Sequence, residues 1–313
     1  MAWLERYILK LEVPLSRLVI PGFQGVPLWD VLRFVYLETQ QDSIQVRAAS
    51  VAFNTFLSLF PSIIVFFQVI SFVPLSTLET TFFDLLEEVF PRSAYFFITD
   101  TIKEIIELNA SGGHISIGFI LAFYFASNGI SSLLITFQKR TALIERRRSF
   151  IRQKMVAFMI TFMLLVIIIV SITGIIGGQI FINSLLDDTL HLRTGWIYWS
   201  VIVLKWVMTF GLIFNAVSII YYFAPAIKNK WSYFSPGSLL VTVLCIITTL
   251  VFNWYINTFG QYSLLYGSVG TAIVLMLWIY FNSMIVVIGF ELNLGIDVSK
   301  HKIDYDLVKQ IKR

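Results

Sequence analysis

Charge is what this chain has least of. Only 13% of its 313 residues are Asp, Glu, Lys or Arg, and 57% are hydrophobic. A soluble domain carries about 25% charged residues, so this composition excludes an ordinary water-soluble globule. Cysteine is nearly missing as well. Cys245 stands alone, which rules out an intrachain disulfide and a cysteine-based metal site. The three histidines, His114, His191 and His301, fall in different loops or the C-terminal tail. HExxH, P-loop and GxSxG patterns do not occur. Acidic residues are almost confined to loops, so a buried carboxylate dyad has no candidate. No cofactor, metal or catalytic residue is therefore expected. The opening MAWLERYILKLEVPLSRLVI scatters charges through its apolar residues and lacks the continuous apolar core of a signal peptide. The first spanning segment is expected to direct insertion itself.

What the chain does have is long apolar runs. Six reach about 20 residues, enough to cross a bilayer: 48–72, 116–137, 155–182, 198–222, 238–259 and 270–294. The third is long and is expected to tilt or project. The expected fold class is all-α, a polytopic membrane protein with six transmembrane helices and added interfacial amphipathic helices. Three regions follow: a cytoplasmic interfacial segment at 1–47, a six-helix transmembrane domain at 48–294, and a basic cytoplasmic tail at 295–313.

Loop charge sets the expected orientation. Loop 138–154 holds Lys139, Arg140, Arg146, Arg147, Arg148, Arg152 and Lys154 against Glu145. Loop 73–115 holds Arg92 and Lys103 against Glu79, Asp84, Glu87, Glu88, Asp100, Glu104 and Glu107. Loop 223–237 is basic, loop 183–197 has two Asp against Arg193, and loop 260–269 has no charge. Basic loops alternate with acidic or neutral ones, which puts both termini in the cytoplasm. The chain's +4 net charge is then a matter of topology and lipid contact, and nucleic acid is not an expected partner. The segment LWDVLRFVYLE, 28–38, has an apolar face suited to the inner interface. In the long outer loop, TLETTFFDLLEEVFP and SAYFFITDTIKEIIEL have helical apolar spacing with a break at Pro91.

The spans also carry polar residues in an ordered way. On a helical wheel, Ser50, Asn54, Ser58, Pro61 and Gln68 of the first span fall within a wedge about 80° wide. Pro61 frees the carbonyl of Leu57, which must be satisfied by protein or water. Ser238, Thr242, Thr249, Asn253 and Asn257 share a face of the fifth span. Thr271, Trp278, Asn282, Gly289 and Asn293 share one in the sixth. The second span holds SNGISS, with Asn128, at mid-depth. The third has small residues at spacings that let helices approach. These stripes either bond helix to helix or line a polar pathway for a solute or lipid headgroup. Lys205 lies within the fourth span and either snorkels outward or faces the cavity. Glu291, opposite the Asn282 stripe, is expected to snorkel to the cytoplasmic surface.

Three stretches together resemble the YihY/BrkB family of bacterial inner-membrane proteins. RAASVAFNTFLSLFP resembles the family's first span, with its S-L-F-P. YYFAPAIKNKWSYFSPGSLL resembles the segment with the P-G entry to the fifth span. YGSVGTAIVLMLWIYFNSMIVVIGFELN resembles the closing Y-G, W-x-Y and G-x-E-x-N pattern. Residues 30–295 are covered. Asn54 departs from the family's usual aromatic or small residue. The resemblance implies six helices and a cytoplasmic (inner) membrane location. It also marks Ser58, Leu59, Phe60, Pro61, Pro236, Gly237, Tyr266, Gly267, Trp278, Gly289, Glu291 and Asn293 as fold or cavity positions. Some members carry a ribonuclease label, for which this sequence offers no acid–base or metal constellation.

Three functional readings are carried, in order: a transporter or lipid-handling permease with membrane lipids, a solute or a headgroup as partner; a non-transporting envelope or scaffold factor; and last an RNA-processing enzyme. The sequence does not fix the oligomeric state.

Overall fold

Hydrocarbon leaves a backbone no partner but itself, and the apolar runs respond as helices. The structure is a computed structural model describing residues 18–20, 22–41, 44–70, 95, 99, 117–138, 148–189, 195–226, 230–259 and 262–311. These form helices α1 (Leu28–Gln41), α2 (Ile44–Ile70), α3 (Ile117–Phe137), α4 (Phe150–Thr189), α5 (Gly195–Phe223), α6 (Pro236–Phe259) and α7 (Tyr262–Ile311). Six of them, α2 to α7, are long and apolar enough to cross a membrane. The all-α, six-span architecture expected from the sequence is thus the one observed. Of the two amphipathic stretches between 77 and 108, only Tyr95 and Thr99 are among the described residues.

Helix ends follow local chemistry. α6 begins at Ser-Pro-Gly-Ser. The Ser235 hydroxyl accepts from Ser238 N at 3.1 Å, and Ser235 N donates to Ser238 Oγ at 3.2 Å, a reciprocal N-terminal cap with proline in the first turn. α5 ends just before Ala224-Pro225. Its last carbonyls are taken by Arg148, which donates to Phe223 O at 3.0 Å, Ala224 O at 2.7 Å and Pro225 O at 3.1 Å. α7 does not stop near residue 294 but continues through the expected tail to Ile311.

The spans form a ring in chain order. α2 packs on α3, α3 on α4, α4 on α5, α5 on α6 and α6 on α7, and α7 closes back on α2. At the end bearing Arg148 the ring is filled. Val51 of α2, Leu134 and Phe137 of α3, Ile160 of α4, Tyr221 of α5, Val241 of α6 and Phe290 of α7 belong to one buried cluster. Phe137 stacks on Phe290 with centroids 4.2 Å apart and meets Tyr221 edge-on at 6.0 Å. Trp231 lies 5.4 Å from Phe290 and 6.5 Å from Tyr221. These four aromatic rings join α3, α5, α7 and the α5–α6 connection across the ring. Towards the other end, a separate cluster holds Val65, Phe66, Ala122, Ala126, Leu165 and Ile172 of α2, α3 and α4.

α6 and α7 cross at two glycines. A methyl group on Gly289 would meet Val241 Cγ2, and would lie 2.6 Å from Tyr221 Oη. One on Gly237 would meet the Gly289 carbonyl, so Gly237 is held to glycine by backbone approach and Gly289 by the side chains packed on it. Outside the ring, α1 lies along the end of α7, with Val31 fully buried and Phe34 against Gly295. The chain reaches α1 through a turn whose Gly22, Gln24 and Gly25 have φ of 96°, 53° and 85°. Phe23 and Val26 of this turn are buried with Leu292 and Ile296 of α7.

Candidate functional site

The polar side chains of the spans fall into separate groups. One of them contains Glu291. Its side chain is 0% exposed and pairs with Arg47, Nη1 to Oε1 at 2.5 Å. Arg47 Nη2 also donates to Thr136 O at 3.0 Å, near the C-terminus of α3. The expectation that Glu291 snorkels to the surface is therefore corrected. It turns inward because a guanidinium meets it there, and a guanidinium can serve a carboxylate and a helix-end carbonyl together. Sequence reading missed Arg47. The available signal was a carboxylate inside a span, which requires a nearby cation.

Asn293 makes the second group, two residues further along α7. Its Oδ1 accepts from Gly237 N at 2.8 Å, and its Nδ2 donates to Ser235 Oγ at 3.0 Å. Asn293 thereby satisfies one of the free amides at the start of α6. Beside it lies a cleft of about 40 Å³ lined in part by Gln24, Trp231, Ser235, Asn293 and Asp297. Trp231 Nε1 donates to Asp297 Oδ2 at 3.2 Å, and Lys300 Nζ donates to Gln24 Oε1 at 2.9 Å.

Asn54 lies on the seam of α2 and α3. Its Nδ2 donates to Ser50 O at 2.8 Å and to Ser132 Oγ at 3.3 Å. Ser58, one turn on, is 5% exposed and donates to Thr55 O at 3.0 Å. Ser62 donates to Ser58 O at 2.7 Å. Pro61 sits inside an otherwise continuous α2, and the serine hydroxyls bond carbonyls on either side of that of Leu57.

Asn128 lies on the seam of α3 and α4, where its Oδ1 accepts from Lys154 Nζ at 2.6 Å. The ammonium also stands 4.2 Å above the Tyr124 ring and 5.7 Å from that of Phe158. Asn282 donates to Trp278 O of its own helix at 2.9 Å, and Trp278 Nε1 donates to Thr249 Oγ1 of α6 at 3.3 Å. Asn253 is half-buried on α6. Lys205, Asn257, Tyr266 and Gly267 sit on helical backbone, but their side-chain surroundings lie outside the described residues. The hydrogen bonds thus bring Asn293 to Gly237, and Trp278 to Thr249, between two expected stripes. Those of Asn54 and Asn128 run to other seams.

Among the described residues, two groups outside the spans are shifted from ordinary acidity. Burial, and then the neighbouring charge of Arg152, lowers the Arg148 guanidinium. Burial raises the Tyr233 phenol, whose hydroxyl donates to Asn215 Oδ1 at 2.6 Å. Among the described residues no three His, Cys, Asp or Glu side chains converge as a metal site would require.

Comparison with known proteins fits this architecture. Residues 35–307 match the family model described as Virulence factor BrkB. A ribonuclease-like protein, YfkH of Bacillus subtilis, is 29% identical over 253 residues, covering 80% of this chain and 88% of that one. A UPF0761 membrane protein of Psychromonas ingrahamii is 26% identical over 273 residues, covering 85% and 87%. One from Coxiella burnetii is 24% identical over 262 residues, covering 82% and 90%. No solved structure matches the chain.

Proposed function

Given that the chain belongs to the virulence factor BrkB family of membrane proteins, we propose that it is a permease of the bacterial inner membrane, moving a polar solute or a lipid headgroup along the axis of its helical ring. Both termini lie in the cytoplasm in this reading, which the basic loop 138–154 supports. Among the described residues, the observation that carries it is the aromatic closure of the ring at one end. The four rings of Phe137, Tyr221, Trp231 and Phe290 cross it at the Arg148 end, while the cluster towards the other end joins α2, α3 and α4. A ring closed at its inner end corresponds to one of the two states that alternating access requires.

The test is flux through proteoliposomes of the full-length chain. Phe137→Ala removes the ring that contacts both Tyr221 and Phe290. Faster passage of small polar dyes or of headgroup-labelled lipid than in wild type is expected. Unchanged passage of both would remove this seal from any pathway. Comparing lipids and metabolites of a deletion strain with its parent then identifies the class of cargo.

The scaffold reading has its own support: Asn54, Asn128 and Asn293 each bond across a helix seam, as packing residues do. The ribonuclease-like name of the Bacillus relative supplies a third reading, which the chemistry disfavours. Glu291 is closed off by Arg47 and offers no carboxylate to a nucleic acid.

A further inference from the structure

Lys154 runs in the opposite direction to most lysines near a helix end. It lies four residues into α4. Its neighbour Gln153 is level with the last turns of α3, accepting from Gln138 Nε2 at 3.3 Å and donating to Ser131 O at 3.4 Å. A lysine there ordinarily extends its stem towards water. Lys154 extends the other way, to Asn128. Asn128 precedes Phe137, the last residue of α3, by nine positions, or about 13 Å along the axis at 1.5 Å per residue.

The same count fixes the face. Nine residues turn a helix by about 180°. Phe137 points into the ring, where it stacks on Phe290, so Asn128 points out of it. Its companions on that face, Leu121, Tyr124 and Ile135, are 50%, 39% and 63% exposed. Across the seam, Met155 and Phe162 of α4 are 64% and 58% exposed. An ammonium is thus held on the outward face of the α3–α4 seam, near the end of the bundle and among exposed apolar side chains. The partners that hold it are an amide oxygen and two aromatic faces, all neutral. Among the described residues, the carboxylates found in ion pairs are Glu291 and Asp297, and both belong to α7. A cation among apolar side chains calls for a counter-charge, and the surrounding membrane supplies one as the phosphate of an anionic lipid.

We propose that the α3–α4 seam binds an anionic phospholipid, with Lys154 contacting its phosphate, Asn128 and Tyr124 fixing the ammonium, and the acyl chains lying on Met155 and Phe162. Charge complementarity selects this occupant, because basic loop 138–154 adjoins the site. The site stands whether or not the ring transports anything.

The full-length chain in phosphatidylcholine vesicles, with and without phosphatidylglycerol, provides the test. Spin-labelled lipids of each headgroup report which is held at the protein surface. Wild type is expected to prefer the anionic probe. Lys154→Gln is expected to lower that preference about fivefold, the factor one basic side chain contributes against an anionic surface, and Lys154→Arg to keep it. Lys230→Gln, which removes a cation resting on Tyr222 and Phe223 instead, is expected to leave it unchanged. Equal preference in wild type and Lys154→Gln overturns the proposal. An equal loss in Lys230→Gln reduces the effect to net charge and overturns it too. Should Lys154→Gln fail to fold, wild type alone decides. Reductive methylation of Lys154, read by mass spectrometry, is expected to slow in phosphatidylglycerol vesicles and not when inorganic phosphate is added to neutral ones. Equal labelling in both vesicles, or slowing by inorganic phosphate, overturns the lipid site.

Discussion

Arg47 and Glu291 meet at 2.5 Å across 244 residues of sequence. The contact joins the start of α2 to α7, and the second arm of the guanidinium reaches the C-terminal turn of α3. Three spans are fastened by one side chain at the end of the bundle where the aromatic rings also meet.

Removing one partner of this pair is expected to cost far more than removing both. Arg47→Ala or Glu291→Ala strands a buried charge and is expected to lose about 3–5 kcal/mol. The double variant Arg47→Met, Glu291→Leu leaves no orphan charge and is expected to be more stable than either single one. Thermal unfolding of the four proteins in detergent checks the order. A double variant as unstable as the sum of the singles would contradict it.

The α6–α7 crossing is expected to separate glycines by position. Gly289→Ala forces a methyl group into Val241 and Tyr221, and Gly237→Ala forces one into the Gly289 backbone. Each is expected to cost at least about 1–3 kcal/mol by overpacking. Gly211→Ala meets nothing within 4 Å and is expected to be neutral or slightly stabilising, since alanine is the better helix former. Melting temperatures of the three variants are the measurement.

Asn293→Ala is expected to cost about 1–3 kcal/mol, because Gly237 N loses its buried acceptor and Ser235 Oγ a donor. Asn293→Asp keeps an acceptor for Gly237 N, beside the positive end of a helix dipole, and is expected to retain more stability. Hydrogen exchange in the first turn of α6 should rise in the alanine variant and much less in the aspartate one.

Alkaline pH is expected to destabilise the fold through Tyr233. Burial raises its phenol above the ordinary value of 10.0, so the folded chain holds the neutral form more firmly than the unfolded chain does. That contribution is complete below about pH 10 and declines as pH rises towards the folded value. Tyr233→Phe removes this part of the decline. Melting temperatures of both proteins between pH 8 and 11 are the comparison, and equal slopes would count against the assignment.

The six spans were legible because bilayer thickness and backbone satisfaction act on local sequence alone. The start of α6 was legible for the same reason, as the P-G entry with its serines lies within four residues. Partner choice was not legible. Glu291 read alone is a carboxylate near a helix end, for which water is the ordinary outlet. Arg47 reaches it only because α7 closes on α2, a fact of topology that no window of sequence contains. The polar stripes were visible as stripes, but a wheel gives a direction without saying what lies there. Asn54 and Asn128 lie on seams between neighbouring helices, and Asn293 caps the helix beside it. Lys154 was counted as a loop charge that helps to set topology, and the count could not reveal that its side chain extends along α3.

α7 runs unbroken for 50 residues, about 75 Å at 1.5 Å per residue, against a hydrocarbon layer of about 30 Å. More than half of it must therefore stand clear of the acyl chains. The same helix bears Gly289, Phe290, Glu291 and Asn293 within five residues, little more than one turn. A load applied to the projecting portion would arrive at those side chains without crossing a hinge, as force passes along a tie-rod to the joint it secures.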